Sequence, residues 1–199
     1  MQRAFDIASL NVTVIGAARS GLAAARLLHH KGVSVFLTEL SPAVKYEDAA
    51  RLLAADGIPH EFGQHSARVF AADLMVVSPG VPSDAPIIVE AERRGLPVIS
   101  EIELGAMFLD GPVIAVTGTN GKTTTTTLCG EICKAAGRRT LVAGNIGKAF
   151  TDALHEFEGV IDIAVLEISS FQLDTCLTFH PSTAVITTIT PDHLNRYHG

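Results

Sequence analysis

Tryptophan is absent from the 199-residue chain, and aromatic residues make up only 6% of it. Aromatic cages and base-stacking platforms are therefore poor starting explanations for anything it binds. Cysteine is scarce. Three residues, an odd number, fit a reducing cytoplasm better than a disulfide framework. No apolar run reaches the roughly 20 residues of a membrane helix. The opening MQRAFDIASL lacks the apolar core of a secretory signal. A cytoplasmic chain without membrane insertion is expected, and as a monomer. Positive charge is also short: 15 Lys+Arg against 21 Asp+Glu leaves −6 with His neutral. That balance argues against a nucleic-acid partner, whose phosphates need a basic face.

Apolar residues are plentiful. At 47% hydrophobic, the chain is not disordered. A chain of this mass buries about 70% of its unfolded surface, so a core needs no staples. Short β-branched runs alternate with helical stretches. Asn11–Gly16, Val33–Thr38, Leu74–Val77 and Leu96–Ser100 read as strands. Ser20–Lys31, Tyr46–Asp56 and Asp84–Arg94 read as helices, stopped by Gly32, Gly57 and Gly95. Strand–helix alternation with continuous apolar strands means βαβ units and a parallel sheet. After an amphipathic stretch, Glu101–Gly111, the pattern restarts. Pro112–Val116, Thr140–Ala143, Ile161–Leu166 and Thr183–Thr188 are expected strands, and Lys122–Ala136 a helix. Two domains are expected, residues 1–100 and 101–199. The second is expected to continue past Gly199, because a parallel-sheet domain of about 100 residues ending just after a strand is small for its class.

The strongest chemical signal is Val116-Thr117-Gly118-Thr119-Asn120-Gly121-Lys122-Thr123-Thr124, between a strand and a helix. A glycine-rich turn there aims backbone N–H groups at an anion, and the helix N-terminus adds partial positive charge. Lys122 would reach the β- and γ-phosphates, and the Thr123 hydroxyl would face Mg²⁺. The G-x-x-x-x-G-K-[ST] spacing fails at its first position, Val116; a glycine stands at Gly118 instead. A plain tight turn with a surface lysine would leave the ordered series of strand, glycines, Lys, Thr and helix unexplained.

A second turn of this kind is Gly16-Ala17-Ala18-Arg19-Ser20-Gly21, with Glu39 ending the next strand. Its middle glycine is replaced by Ala18. NAD binding, an ordinary strand-to-helix turn and another phosphorylated ligand all fit it. Arg19 adds a cation where a diphosphate would lie. Ser78-Pro79-Gly80 follows an apolar strand at the sheet's carboxyl edge, where open α/β sheets bind ligands; a Pro-Gly turn is the plainer reading. Glu167 ends the strand before it as a Mg²⁺ ligand would. His193, past another strand tip, could meet the same metal, but Mg²⁺ prefers oxygen and a zinc pair with His198 is disfavoured. Cys129 and Cys133 read as core or near-core thiols. His29, His30, His60 and His65 read as surface or packing residues. Ser169–Leu173 is uninformative by physics alone.

At G-T-N-G-K-T-T (Gly118–Thr124), G-N-I-G (Gly144–Gly147), L-E-I-S-S-F-Q-L (Leu166–Leu173), S-P-G-V (Ser78–Val81) and P-D-H-L-N-R-Y (Pro191–Tyr197) the sequence resembles the Mur ligase family. L-E-I-S-S-F-Q-L with S-P-G-V points to its D-glutamate-adding branch. The resemblance covers the whole chain. It implies a Rossmann-like domain for a UDP-muramoyl substrate, then part of a P-loop-type α/β ATPase domain. It also implies an ATP-dependent ligase that phosphorylates the carboxylate of UDP-N-acetylmuramoyl-L-alanine and couples it to D-glutamate, with ATP and Mg²⁺ required. Gly118, Thr119, Asn120, Gly121, Lys122, Thr123 and Thr124 would hold ATP. Thr123, Glu167 and His193 would hold metal, and Lys122, Asn145 and His193 would be catalytic. Arg19, Ser20, Ser78 and Gly80 would meet the UDP diphosphate, Thr38 and Glu39 the uracil, and Asn145 and Ser169 would complete the substrate set. Another Mur-type or folylpolyglutamate-type ligase, a nicotinamide oxidoreductase and a non-catalytic UDP-binding module are the competing readings. The oxidoreductase leaves Gly118–Thr124 without a role.

Overall fold

The computed structural model describes residues 7–192 and Leu194. The chain divides between Glu101 and Ile102 into two compact units. In the first, strands β1 (Asn11–Ile15), β2 (Ser34–Glu39), β3 (His60–Phe62), β4 (Leu74–Val77) and β5 (Val98–Ser100) form one sheet in the order β3-β2-β1-β4-β5. Every pairing is parallel. Helices α1 (Arg19–His30), α2 (Glu47–Ala55) and α3 (Pro86–Arg93) make the connections. A parallel sheet covered by helices on both faces needs strands that are apolar throughout. Accordingly Val12, Val14 and Ile15 of β1 and all of Leu74–Val77 are buried. Ile15, Met75, Val77, Ile87, Ile88 and Ala91 share one core cluster.

The second unit starts within α4 (Glu101–Met107) and contains β6 (Val113–Thr117), α5 (Lys122–Ala135), β7 (Thr140–Gly144), α6 (Phe150–Glu156), β8 (Ile163–Glu167), α7 (Ser170–Leu173) and β9 (Thr183–Ile186). Its strands are parallel in the order β7-β8-β6-β9. Phe150 is fully buried against Ile102, Leu141 and Leu166. A Cβ on Gly105 would stand 2.3 Å from the Phe150 ring, so only glycine lets α4 come this close. The buried Glu103 carboxylate is satisfied by the backbone N–H groups of Leu177, Thr178 and Phe179 at 2.8–3.0 Å. A charge this deeply buried is tolerable only with such donors, and here it anchors the segment leading to β9.

Three short elements escape the sequence reading. β3 is three residues at a sheet edge, with a polar centre at Glu61. α6 and α7 have seven and four residues, too short to show a helical repeat. The amphipathic stretch Glu101–Gly111 resolves into α4 followed by a turn.

Candidate functional site

In each unit the topology puts a glycine turn at the tip of the central strand. β1 lies between β2 and β4, with Ile15 opposite Thr38 on one side and Val77 on the other. The turn after β1 is thus flanked by Glu39 and Ser78. The connections from β1 and β4 leave in opposite directions, which opens a crevice at the strands' carboxyl ends. Gly16 has φ +99°, and a Cβ on Gly21 would sit 2.0 Å from the Gly16 carbonyl oxygen. Glycine at both positions lets α1 start hard against the turn.

Glu39 braces that turn. Its Oε2 accepts the Ala17 N–H at 3.0 Å and its Oε1 the Ser41 N–H at 2.7 Å. Ala18 caps α1 without a side-chain hydrogen bond to the helix amides. Ser78 is 4% exposed, and its buried hydroxyl has no hydrogen-bond partner among the described residues. Leaving a hydroxyl so placed costs about 1–3 kcal/mol; it lies against the glycine turn, where a Cβ on Gly16 would stand 2.9 Å from Ser78 Oγ. A cavity of about 530 Å³ opens here, lined by Gly16, Glu39, Ser41, Tyr46, His65, Ser78 and neighbouring apolar residues.

The sequence-predicted residues of this unit divide. Glu39, Ser78 and Gly80 share the cavity wall. Arg19 lines an adjoining depression with Lys45 and Tyr46. Ser20 is half-buried in the first turn of α1. Thr38 is fully buried, its hydroxyl turned toward Glu61, Gln64 and His65. His65, read from the sequence as a surface or packing residue, is half-buried and lines the cavity wall. That place follows from β3, a strand the sequence did not signal. Glu61, within β3, was missed for the same reason, and Tyr46 was read only as the start of a helix.

In the second unit β6 lies between β8 and β9, with Val116 opposite Glu167 and Thr117 opposite Ile186. The loop after β6 is therefore held between Glu167 and the residues following β9. Gly118 has φ +129°, and a Cβ there would meet Thr187 Oγ1 at 2.4 Å. Thr119 N–H donates to the Thr188 carbonyl at 2.8 Å, and the Thr187 hydroxyl donates to the Asn120 carbonyl at 2.6 Å. These threonines fix the loop, and nothing local in the sequence pointed to them. Lys122, the first residue of α5, donates from Nζ to the carbonyls of Gly118 and Thr119 at 2.7 and 3.0 Å. Thr124 is exposed on the same helix turn.

Glu167 is 2% exposed. Its Oε2 accepts the Thr123 hydroxyl at 2.7 Å, and its Oε1 accepts the Asn145 side-chain amide at 2.8 Å. A Cβ on Gly144 would stand 2.2 Å from the Glu167 carbonyl oxygen, so glycine is required for β7 to bring Asn145 alongside. Ser169 donates to Gln172 Oε1 at 3.0 Å and caps α7, a structural use for that side chain. His193 lies outside the described residues, so its expected metal role has no structural test.

The hard oxygens of Thr123 and Glu167 converge beside the loop, which is the donor chemistry Mg²⁺ prefers. Lys122, the start of α5 and this oxygen pair lie together beside the tip of β6.

Residues 10–100 match the family model "Mur ligase MurD-like, N-terminal domain", and residues 116–199 match "Mur ligase middle domain". The chain belongs to the Mur ligase family. It is 49% identical over 197 residues to a UDP-N-acetylmuramoylalanine--D-glutamate ligase of Salinibacter ruber, covering 96% of this chain and 42% of that protein. It is 48% identical over 198 residues to the one from Chloroherpeton thalassium, covering 98% and 42%. It thus spans about two-fifths of the length of these curated Mur ligase relatives. Among solved structures it is similar to UDP-N-acetylmuramate-alanine ligase from Thermotoga maritima, at 25% identity and TM-score 0.56, covering 95% of this chain and 44% of that one. A second Mur ligase, UDP-N-acetylmuramate:L-alanyl-gamma-D-glutamyl-meso-diaminopimelate ligase from Neisseria meningitides, superposes with TM-score 0.59 at 21% identity, covering 94% and 63%. That likeness shows the shared α/β fold. No helix among the described residues is long and apolar enough to cross a membrane.

Proposed function

We propose that this chain is the substrate-binding and nucleotide-binding portion of an ATP-dependent ligase that joins D-glutamate to UDP-N-acetylmuramoyl-L-alanine in peptidoglycan precursor synthesis. The single observation that carries the reading is the cluster Lys122, Thr123, Glu167 and Asn145 around the loop after β6. The names of relatives at 48–49% identity supply the substrates. Three free thiols agree with a reducing cytoplasm, and we read the enzyme as a monomer.

Phosphoryl transfer to a carboxylate brings two anions together, so the site must screen charge. Lys122 would release its two loop carbonyls and turn to the β- and γ-phosphates, while the amides at the start of α5 cradle them. Thr123 and Glu167 would hold Mg²⁺, which supplies further neutralisation of phosphate charge when bound. Asn145, beside Glu167, would orient the substrate carboxylate. The carboxylate oxygen attacks the γ-phosphorus and ADP leaves. The D-glutamate amine then attacks the acyl carbon, phosphate leaves, and the amine nitrogen loses a proton as the amide forms.

In the first unit, the unpartnered Ser78 hydroxyl and the open N-terminus of α1 would take the diphosphate, with Arg19 adding charge from the adjoining depression. A UDP diphosphate fits a turn that lacks the middle glycine of a dinucleotide fingerprint. The test is a thermal-shift panel on the chain with UDP, UDP-N-acetylmuramoyl-L-alanine, ATP·Mg²⁺ and NAD. Ligands that bind only the folded state raise Tm. Stabilisation by both uridine ligands and none by NAD is expected; the reverse pattern would refute the proposal.

A further inference from the structure

The cavity of the first unit has two ends on the sheet. Ser78 and the Gly16 turn stand over β4 and β1, where a diphosphate would lie. Glu39 and His65 stand past β2 and β3, where a base attached to that diphosphate would reach. A base carries hydrogen-bonding edges, so its end of the cavity needs a polar group with a defined donor or acceptor. Of the polar groups past β2 and β3, Glu39 already accepts two backbone amides. Ser41 and Tyr46 also line the cavity, and His65 is the side chain there whose free ring nitrogen is fixed by the hydrogen bonds made on its other side.

His65 is held in one orientation by a half-buried network centred on the buried Thr38. Thr38 Oγ1 lies 2.8 Å from His65 Nδ1, 2.9 Å from Glu61 Oε1 and 3.2 Å from the Gln64 carbonyl oxygen. Glu61 Oε1 also accepts the Ser66 N–H at 2.9 Å. The carboxylate and the carbonyl can only accept, so the single Thr38 hydroxyl proton goes to one of them. The hydroxyl oxygen must then accept, and the available donor is Nδ1–H of His65. The opposite tautomer would leave the Thr38 oxygen facing two acceptors with no proton between them. The neutral ring therefore carries its lone pair on Nε2.

We infer that His65 is a specificity residue for the nucleobase, its neutral Nε2 accepting the N3–H of a uracil. Cytosine presents a lone pair at N3, so the same nitrogen repels it. The inference rests on the uridine reading proposed above. Burial holds His65 below its ordinary value, while Glu61 in β3 and Glu39 at the end of β2 pull the other way. Tyr46 is the other titratable side chain facing this cavity. The neutral ring is the binding form, so uridine affinity is full above the His65 transition and falls as pH drops through it.

The experiment is calorimetric titration of the chain and of His65→Phe, with melting curves confirming that the variant is folded. At pH 7.5 the wild-type chain should prefer UDP to CDP by roughly tenfold or more, and the variant should bind both alike. A UDP-sugar, whose diphosphate is esterified at both ends and does not titrate near neutrality, is then followed from pH 7.5 to 5. Wild-type affinity should fall by up to about tenfold per pH unit below the transition, and the variant's should stay flat. The pH profile needs no mutation, so it tests the idea even if the variant fails to fold. An unchanged UDP/CDP ratio in the variant, or wild-type affinity that is flat or rises on acidification, overturns the inference alone. If the wild-type chain binds no uridine nucleotide, the uridine reading fails and takes this inference with it.

Discussion

The two units solve one problem twice and differently. Each places a glycine turn and a helix start at the tip of its central strand, with a cation as the first helical residue: Arg19 in one, Lys122 in the other. Each has a glutamate at one neighbouring strand tip and a hydroxyl beyond the other: Glu39 and Ser78, Glu167 and Thr187. The roles are exchanged. Glu39 spends its oxygens on backbone N–H groups and the Ser78 hydroxyl is left unpartnered. Glu167 meets side chains, Thr123 and Asn145, and the Thr187 hydroxyl is spent on the loop backbone. The first arrangement leaves a neutral hydrogen-bonding group for a ligand. The second leaves an ammonium, a carboxylate and a hydroxyl. On the proposed function, one scaffold serves recognition in the first unit and charge handling in the second, according to which groups the backbone already occupies.

Lys122→Ala gives the sharpest separation. In the full-length enzyme it should lower ADP-forming turnover by on the order of 10²–10³-fold or more, as loss of a preorganised charge-stabilising group does. Tm without ligand should match wild type, and UDP binding in the first unit should be unaffected. Wild-type turnover would remove the lysine from the chemistry and collapse the contrast between the two turns.

Gly21→Ala tests the first turn by shape. The new Cβ cannot coexist with the Gly16 carbonyl 2.0 Å away, so α1 must shift. A loss of about 2 kcal/mol or more is expected from denaturant titration, together with loss of uridine-ligand stabilisation. A variant that melts and binds like wild type would show that the close approach of α1 is unimportant.

Ser78→Ala is subtler and more diagnostic. Removing a buried hydroxyl without a partner should leave stability unchanged or raise it by up to about 1 kcal/mol. Affinity for a diphosphate ligand should nonetheless fall roughly tenfold, the equivalent of one hydrogen bond. Destabilisation with intact affinity would assign Ser78 to structure and make the units less different than proposed.

The smallest effect belongs to surface charge. Glu90 is pulled down to about 2 by hydrogen bonds to Arg93 and Arg94. A carboxyl lowered on folding stabilises the fold above its unfolded value, and that contribution is lost as pH falls toward 2. Glu90→Gln should lower Tm slightly at pH 7, and the gap should close by pH 2. Solvent screens this pair, and neither ligand's binding should respond. A change in binding would mean that surface electrostatics reach the sites.

The strands and long helices were legible because the local signals are strong. The runs at β1, β4, β6 and β8 are apolar and nearly continuous, as burial on both faces demands, and α1, α2 and α3 stop at the expected glycines. The loop Gly118–Thr124 was legible because phosphate binding needs glycines, a lysine and a hydroxyl consecutively in the chain. β3, α6 and α7 were not, being too short to display a period. His65 was not singled out because it owes its place to β3, nor Thr187 and Thr188 because their partners lie some 70 residues away.

The chain's own order of residues therefore determined the βαβ alternation, the two glycine turns and the identity of the groups near each. Such features arise from contacts within a few residues and leave a pattern in a short window. Tertiary structure decided which strands became neighbours, and with that everything that crosses between them. Order β3-β2-β1-β4-β5 set Glu39 and Ser78 on either side of one turn, and β7-β8-β6-β9 set Glu167 and Thr187 on either side of the other. Which oxygen was spent on backbone and which was left for a ligand depends on separations of a few tenths of an ångström between distant segments. No window of sequence holds that information, because it is set by how the helices pack on each sheet.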